Sequence, residues 1–284
     1  MPRPYILCAL LWFAATSVAQ EIGVPRNVTA GEDVHLSVSG SGTATLYLFG
    51  PGLSNKRDVI LGRDIQLPAT DFTTAGEYSA LLCSAGDCRG ADFFVSAAKP
   101  FSLTFLVHPS RVPVAEGDAI SGVAVPFDKY RNLVLEPETI KFELTDGKAS
   151  VLNRSLPTKN GIAWFRTASG KSAGALQVDA AIGDISTRRA VQQVASDPCN
   201  LRITGQRNAG GILVQTEPVH DCSGNPLPDG TIVTFTATSS GDKSTVDAPI
   251  KQDVARAQII ARGPTTVSAA SGVVTGNELR IGDR

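Results

Sequence analysis

The sequence predicts an all-β chain of antiparallel sandwiches arranged in tandem. Hydropathy repeats every second residue along almost the whole chain, and clusters of Gly, Pro, Asn and Asp break it into short runs. No stretch sustains a 3.6-residue apolar period with helix caps; the nearest, Arg188 to Val194, is short and runs into a Pro-containing break. Many short strands with turn signals and no helices indicate sandwiches or barrels.

The chain opens on Arg3, then an apolar run from Ile6 to Ala15, then Ser17-Val18-Ala19 with small residues where a signal peptidase reads. This is the pattern of a secretory signal peptide over residues 1–19. The run is too short to span ~30 Å of hydrocarbon. Cys8 lies inside it and not at its end, which argues against a lipoprotein. No later segment has the length and apolarity of a membrane span, so the expected location is secreted or periplasmic.

Past the leader, Val34, Leu36 and Val38 alternate with His35, Ser37 and Ser39. Leu46 and Leu48 oppose Thr45 and Tyr47, and Ile232 to Thr236 is β-branched and aromatic. Small-residue, Pro-containing joints fall at Ala97 to Pro100 and at Ala195 to Pro198. They divide the mature chain into three segments of similar size: 20–98, 99–195 and 196–284. In the first, Thr73-Thr74-Ala75-Gly76-Glu77-Tyr78 places a Tyr just after a Gly-containing bend at a strand start. That is the pattern of the tyrosine corner of immunoglobulin-like folds, without its usual Tyr-x-Cys, because Ala80 stands where Cys would be.

Removing Arg3 from 26 basic residues leaves 25 against 27 acidic, a net of −2. With no concentrated basic patch, nucleic acid is not an expected partner. Removing Cys8 leaves Cys83, Cys88, Cys199 and Cys222. An even number in an exported chain suggests disulfides. Of three possible pairings, proximity favours Cys83–Cys88, as the clamp of one hairpin, and Cys199–Cys222. Chain entropy puts them near ~2 and ~3.5 kcal/mol. The rival is a metal site on His220, Asp221, Cys222 and Cys199, whose spacing fits no standard zinc pattern.

The second and third segments repeat each other. Asp128, Asn132 and Phe142 correspond to Asp221, Asn225 and Phe235, all at an offset of 93. Val178 to Gly183 corresponds to Val267 to Gly272 at an offset of 89. A repeat of this length is a whole domain. Asp221-x-x-Gly-Asn225-Pro-Leu-Pro-Asp-Gly230-Thr-Ile-Val-Thr-Phe235, followed by strands ending in Thr265 to Gly272, resembles the bacterial immunoglobulin-like group 1 (Big-1) domain of invasin- and intimin-type adhesins. The resemblance is good over about 200–276 and weaker over about 100–190, where Lys129-Tyr130-Arg131 replaces the small turn residues. It implies immunoglobulin-like sandwiches serving as spacers or presenting modules, and it carries no catalytic residue over.

Gly170-Lys171-Ser172-Ala173-Gly174 matches the Gly-x-Ser-x-Gly nucleophile elbow, but a strand and not a helix follows it, so a hairpin tip is the better reading. Ser240-Gly241-Asp242-Lys243 matches Ser-x-x-Lys without its companion motifs and reads as a polar loop. His35, His108 and His220 have no spacing that pairs them with a nucleophile. Glu136 and Glu138 lie in a Pro-containing turn and read as solvated, and no Asp-rich loop has calcium's ligand density. The expectation is therefore no catalytic, cofactor or metal residue. Trp164-Phe165 is the one aromatic pair with a functional prospect: adjacent strand residues face opposite ways, so Trp164 is a candidate contact residue. The sequons at Asn27 and Asn153 are idle if the chain is bacterial.

Three functions follow. The first is an exported, non-catalytic binding, adhesion or scaffold protein with a protein or cell-surface polysaccharide partner. The second is a hydrolase with a site around Ser172. The third is an envelope assembly partner lending an edge strand from among Val267 to Gly276.

Overall fold

The computed structural model describes residues 21–147 and 149–282; the leader expected over residues 1–19 lies outside them. Among the described residues the only helical element is a single 3-10 turn, Ala69–Phe72, and no helix is long and apolar enough to cross a membrane. The rest is 24 short strands around three hydrophobic cores.

The first core is built by β1 (Ile22–Gly23), β2 (Val28–Thr29), β3 (Val34–Val38), β4 (Thr43–Gly50), β5 (Leu53–Ile60), β6 (Ile65–Leu67), β7 (Gly76–Ser84) and β8 (Asp87–Ser96). One sheet runs β1-β3-β6 and the facing one β2-β8-β7-β4-β5. The alternation read from the sequence is realised residue by residue. Val34, Leu36 and Val38 are buried, while His35 and Ser37 face out. The Tyr78 hydroxyl donates to the Thr74 carbonyl at 2.9 Å, and its ring packs on Phe72 and Phe93.

The second core repeats this plan strand for strand. It uses β9 (Ser102–His108), β10 (Arg111–Pro113), β11 (Ile120–Phe127), β12 (Thr139–Asp146), β13 (Ala149–Pro157), β14 (Ala163–Thr167), β15 (Gly174–Ile182) and β16 (Ile185–Val194). Its sheets run β14-β11-β9 and β10-β16-β15-β12-β13. In both sandwiches a short strand adds in parallel to an otherwise antiparallel sheet: β2 on β8, and β10 on β16. The first segment, which looks only generally immunoglobulin-like in sequence, thus shares the second's topology. The helical candidate at Arg188 to Val194 lies within strand β16.

The third core comprises β17 (Ile203–Asn208), β18 (Gly211–Thr216), β19 (Ile232–Ser239), β20 (Asp242–Lys251), β21 (Val254–Ile259), β22 (Thr265–Ser271), β23 (Val274–Thr275) and β24 (Leu279–Ile281). Its two layers merge where Ile250 pairs with Ala255 around the β20–β21 corner. The sequence repeat is a structural one: Phe142 stands opposite Ala180, and Phe235 opposite Ala269. Both rings are fully buried, each contributing about 1.5–3 kcal/mol of transfer free energy. Of the edge strand expected among Val267 to Gly276, only the two-residue β23 lies at the rim of its sheet; the longer β22 does not. β22 is paired by β19 on one side and by β23 and β24 on the other, so its main-chain groups are already used.

The chain divides into two compact units. One holds the first core together with Phe127–Leu135, the segment that follows β11. The other holds Ser102–Pro126 and everything from Glu136 onward, and so contains the second and third cores.

Candidate functional site

The Asp and Asn of the repeat build the same turn twice. Asp128 is 1% exposed, and both its oxygens are filled. Oδ1 accepts from the backbone amides of Tyr130 and Asn132, each at 2.8 Å. Oδ2 accepts from the Ala98 amide at 2.9 Å and from Asn132 Nδ2 at 2.8 Å. Burial alone would push this carboxyl up, but the bonds from Asn132, Ala98 and Tyr130 outweigh it and hold the pKa below the usual carboxylate range. Asn132 then reaches across to the bend before β7. Its Nδ2 donates to the Thr73 carbonyl and its Oδ1 accepts from the Ala75 amide, both at 2.8 Å. Tyr130 lies against the first core, where a Cβ on Gly31 (φ +82°) would overlap its ring.

Asp221 is 4% exposed and wired alike. Oδ1 accepts from the Ser223 amide at 2.8 Å and the Asn225 amide at 2.9 Å; Oδ2 accepts from the Ser196 amide at 3.1 Å and Asn225 Nδ2 at 3.0 Å. Burial is again opposed and outweighed, here by Asn225, Ser196 and Ser223, and this carboxyl too is held low. Asn225 bridges to the bend before β15: Nδ2 to the Lys171 carbonyl and Oδ1 from the Ala173 amide, both at 2.8 Å. Four or more N–H donors on each carboxylate leave no room for a cation, and the described residues contain no group of three or more His, Cys, Asp or Glu able to hold a metal.

The apparent nucleophile elbow is therefore the seat of Asn225. It is not a hairpin tip either, because it carries the chain from β14 in one sheet to β15 in the other. The Ser172 carbonyl accepts from Gln193 Nε2 at 3.0 Å, and Gly170 donates its amide to Gln193 Oε1. No described hydrogen bond joins the Ser172 hydroxyl to an imidazole or a carboxylate. His35 faces solvent from β3, His108 ends β9 before Pro109, and the His220 carbonyl accepts from the Cys199 amide. Ser240-Gly241 is the turn between β19 and β20. Glu136 and Glu138 offer backbone groups to Thr158, Glu138 through its amide at 2.9 Å.

Cys83, Cys88, Cys199 and Cys222 form two disulfides, Cys83–Cys88 across the β7–β8 hairpin and Cys199–Cys222. The second ties the entry of the third segment to the Asp221 turn.

Trp164 and Phe165 part company as neighbours on a strand do. Phe165 is buried, 4.9 Å from the Phe142 ring centroid, while Trp164 is 64% exposed. Trp164 stands opposite Val123 on β11, and the third strand of that sheet carries Leu106, 65% exposed. The corresponding outer face of the first sandwich presents His35, Ser37 and Gln66 instead. An open cleft of about 550 Å³ lies in the second unit, lined in part by Arg111, Glu116, Asp197, Leu227 and Ser271.

No family model and no curated protein sequence matches the chain. Solved structures do. The Escherichia coli adhesin FdeC superposes with a TM-score of 0.64 at 15% identity, covering 93% of this chain and 97% of that one. Invasin, a bacterial integrin-binding protein, gives 0.52 at 12% identity over 93% of this chain and 60% of its own. Yersinia pseudotuberculosis InvD gives 0.51 at 11% identity, with 91% and 96% covered. The chain thus has the fold of the tandem immunoglobulin-like sandwiches found in bacterial adhesins and invasins.

Proposed function

We propose that this chain is an exported, non-catalytic adhesion-type protein of a bacterial envelope, built from three immunoglobulin-like sandwiches with boundaries near residues 99 and 196, the third of them Big-1-like. It presents one contact face to a cell-surface protein or polysaccharide. The observation that carries this reading is the outer face of β14-β11-β9, where Trp164, Val123 and Leu106 leave apolar surface open on one sandwich while the matching face of the first is polar. An exposed Trp on a rigid sheet contributes large contact area at little entropic cost, which is why such residues anchor interfaces. The fold likeness to adhesins and two disulfides, which persist in oxidising compartments, support the same reading. The two Asn turns supply the scaffold that holds such a face in place.

The test is binding of the purified mature chain to intact bacterial and animal cells, with protease- and glycosidase-treated cells to separate protein from polysaccharide. Trp164→Ala is expected to weaken binding about thirtyfold, the ~2 kcal/mol scale of an aromatic anchor. Its thermal unfolding should stay unchanged, because the side chain is mostly in solvent. Full binding by the variant would remove the face from consideration.

A further inference from the structure

We propose that the free end of the third sandwich is a docking seat for a further sandwich that presents an Asp-x-x-x-Asn turn, stacked head-to-tail. The seat used twice in this chain has a common design of three consecutive residues. The outer two spend a carbonyl and an amide on the incoming Asn: Thr73 and Ala75 for Asn132, Lys171 and Ala173 for Asn225. The middle carbonyl is braced from behind by a side chain of the receiving sandwich: Thr74 by the Tyr78 hydroxyl, Ser172 by Gln193 Nε2. A glycine at positive φ follows, Gly76 at +147° and Gly174 at +149°.

The 89-residue offset that superposes β15 on β22 puts Ile260, Ala261 and Arg262 at the same three places, followed by Gly263. The middle carbonyl is again braced from its own sandwich, Ala261 by Arg207 Nη1 at 2.8 Å. The outer two groups are unspent. Among the described residues no hydrogen bond uses the Ile260 carbonyl or the Arg262 amide. Ile260 is 84% exposed beside a cleft of about 340 Å³ that it lines with Ser239, Lys243 and Arg262. Gly263 stands at +71°, so docking turns the backbone there, an adjustment that glycine permits.

The leading end of this same chain is not the occupant. Its connection from β3 to β4 is Ser39-Gly40-Ser41-Gly42, with neither Asp nor Asn. The inference rests on the repeated seat and not on the adhesion reading, so loss of cell binding leaves it standing.

The full chain is extended at Arg284 by a second copy of residues 196–284, and in a separate protein by a copy of residues 99–195. Exchange of the Arg262 amide is then followed by nuclear magnetic resonance. Both extensions are expected to slow it roughly tenfold or more relative to the unextended chain. Asn225→Ala or Asn132→Ala, made only in the added copy, should restore the original rate. An Arg262 amide that exchanges at the unextended rate in both proteins overturns the proposal, and so does protection that survives loss of the Asn.

Discussion

The Asp128 and Asp221 turns spend the same atoms and differ in what reinforces them. Each carboxylate gathers its own turn's amides plus one from the joint that leads into its segment, Ala98 or Ser196, and each Asn bridges to a carbonyl and an amide two residues apart. Around that shared wiring the first turn adds an aromatic anchor, with Tyr130 against the first core and Lys129 Nζ 4.8 Å above its ring. The second adds a covalent one, Cys199–Cys222, and keeps small residues at Ser223 and Gly224. The hydrogen-bond frame is the constant part of the device. Tyr130 stands at the first turn where the second has the cystine and a compact Ser223-Gly224.

The comparison can be broken most forcefully at the disulfide. Cys199→Ser with Cys222→Ser is expected to cost about 3.5 kcal/mol, read as an earlier urea midpoint for the third core alone, while the Asp128 turn is untouched. Next come the carboxylates. Asp221→Ala and Asp128→Ala each strand several buried N–H donors, so each should cost about 3 kcal/mol. Near-equal losses in the two variants would sharpen the claim of a common frame, and a loss confined to one would break it. Tyr130→Ala should cost about 2 kcal/mol, through lost burial of a partly covered ring, in the unfolding of the first core. Replacing Tyr130 with Gly in a chain given a new bridge from position 129 to the preceding segment should recover most of it.

The smallest expected effect is on pH dependence. Both carboxyls titrate lower in the folded chain than in the unfolded one. Their contribution is therefore complete above about pH 4 and declines as pH falls through the folded values. Denaturant midpoints for the native chain should drop below pH 4 more steeply than those of the doubly substituted Asp128→Asn, Asp221→Asn chain.

Much of the fold was legible because burial on a sheet writes itself every second residue, as at Val34 to Val38 and Ile232 to Ala237. The repeat was legible because Asp, Asn and Phe do work that other side chains cannot. The seats were not. Thr73, Ala75, Lys171 and Ala173 contribute only main-chain atoms, and a carbonyl or an amide leaves no mark on residue identity. The one usable trace was Ala-Gly before a strand, present at Ala75-Gly76 and again at Ala173-Gly174. Its second copy was overlaid by a chance match to a catalytic elbow. That the long edge expected from Val267 shrinks to the two residues of β23 has a similar cause: small, uncharged residues suit a central strand such as β22, pressed between neighbours, as well as an open rim.

Because Thr73, Ala75, Lys171 and Ala173 meet the Asn side chains through main-chain atoms alone, changes of side chain at those four positions leave the bonding groups in place. On the docking side, by contrast, the acid and the amide four residues on cannot be replaced without losing the frame. The tolerance of the device is therefore lopsided: wide in the accepting stretch, narrow in the turn that reaches into it.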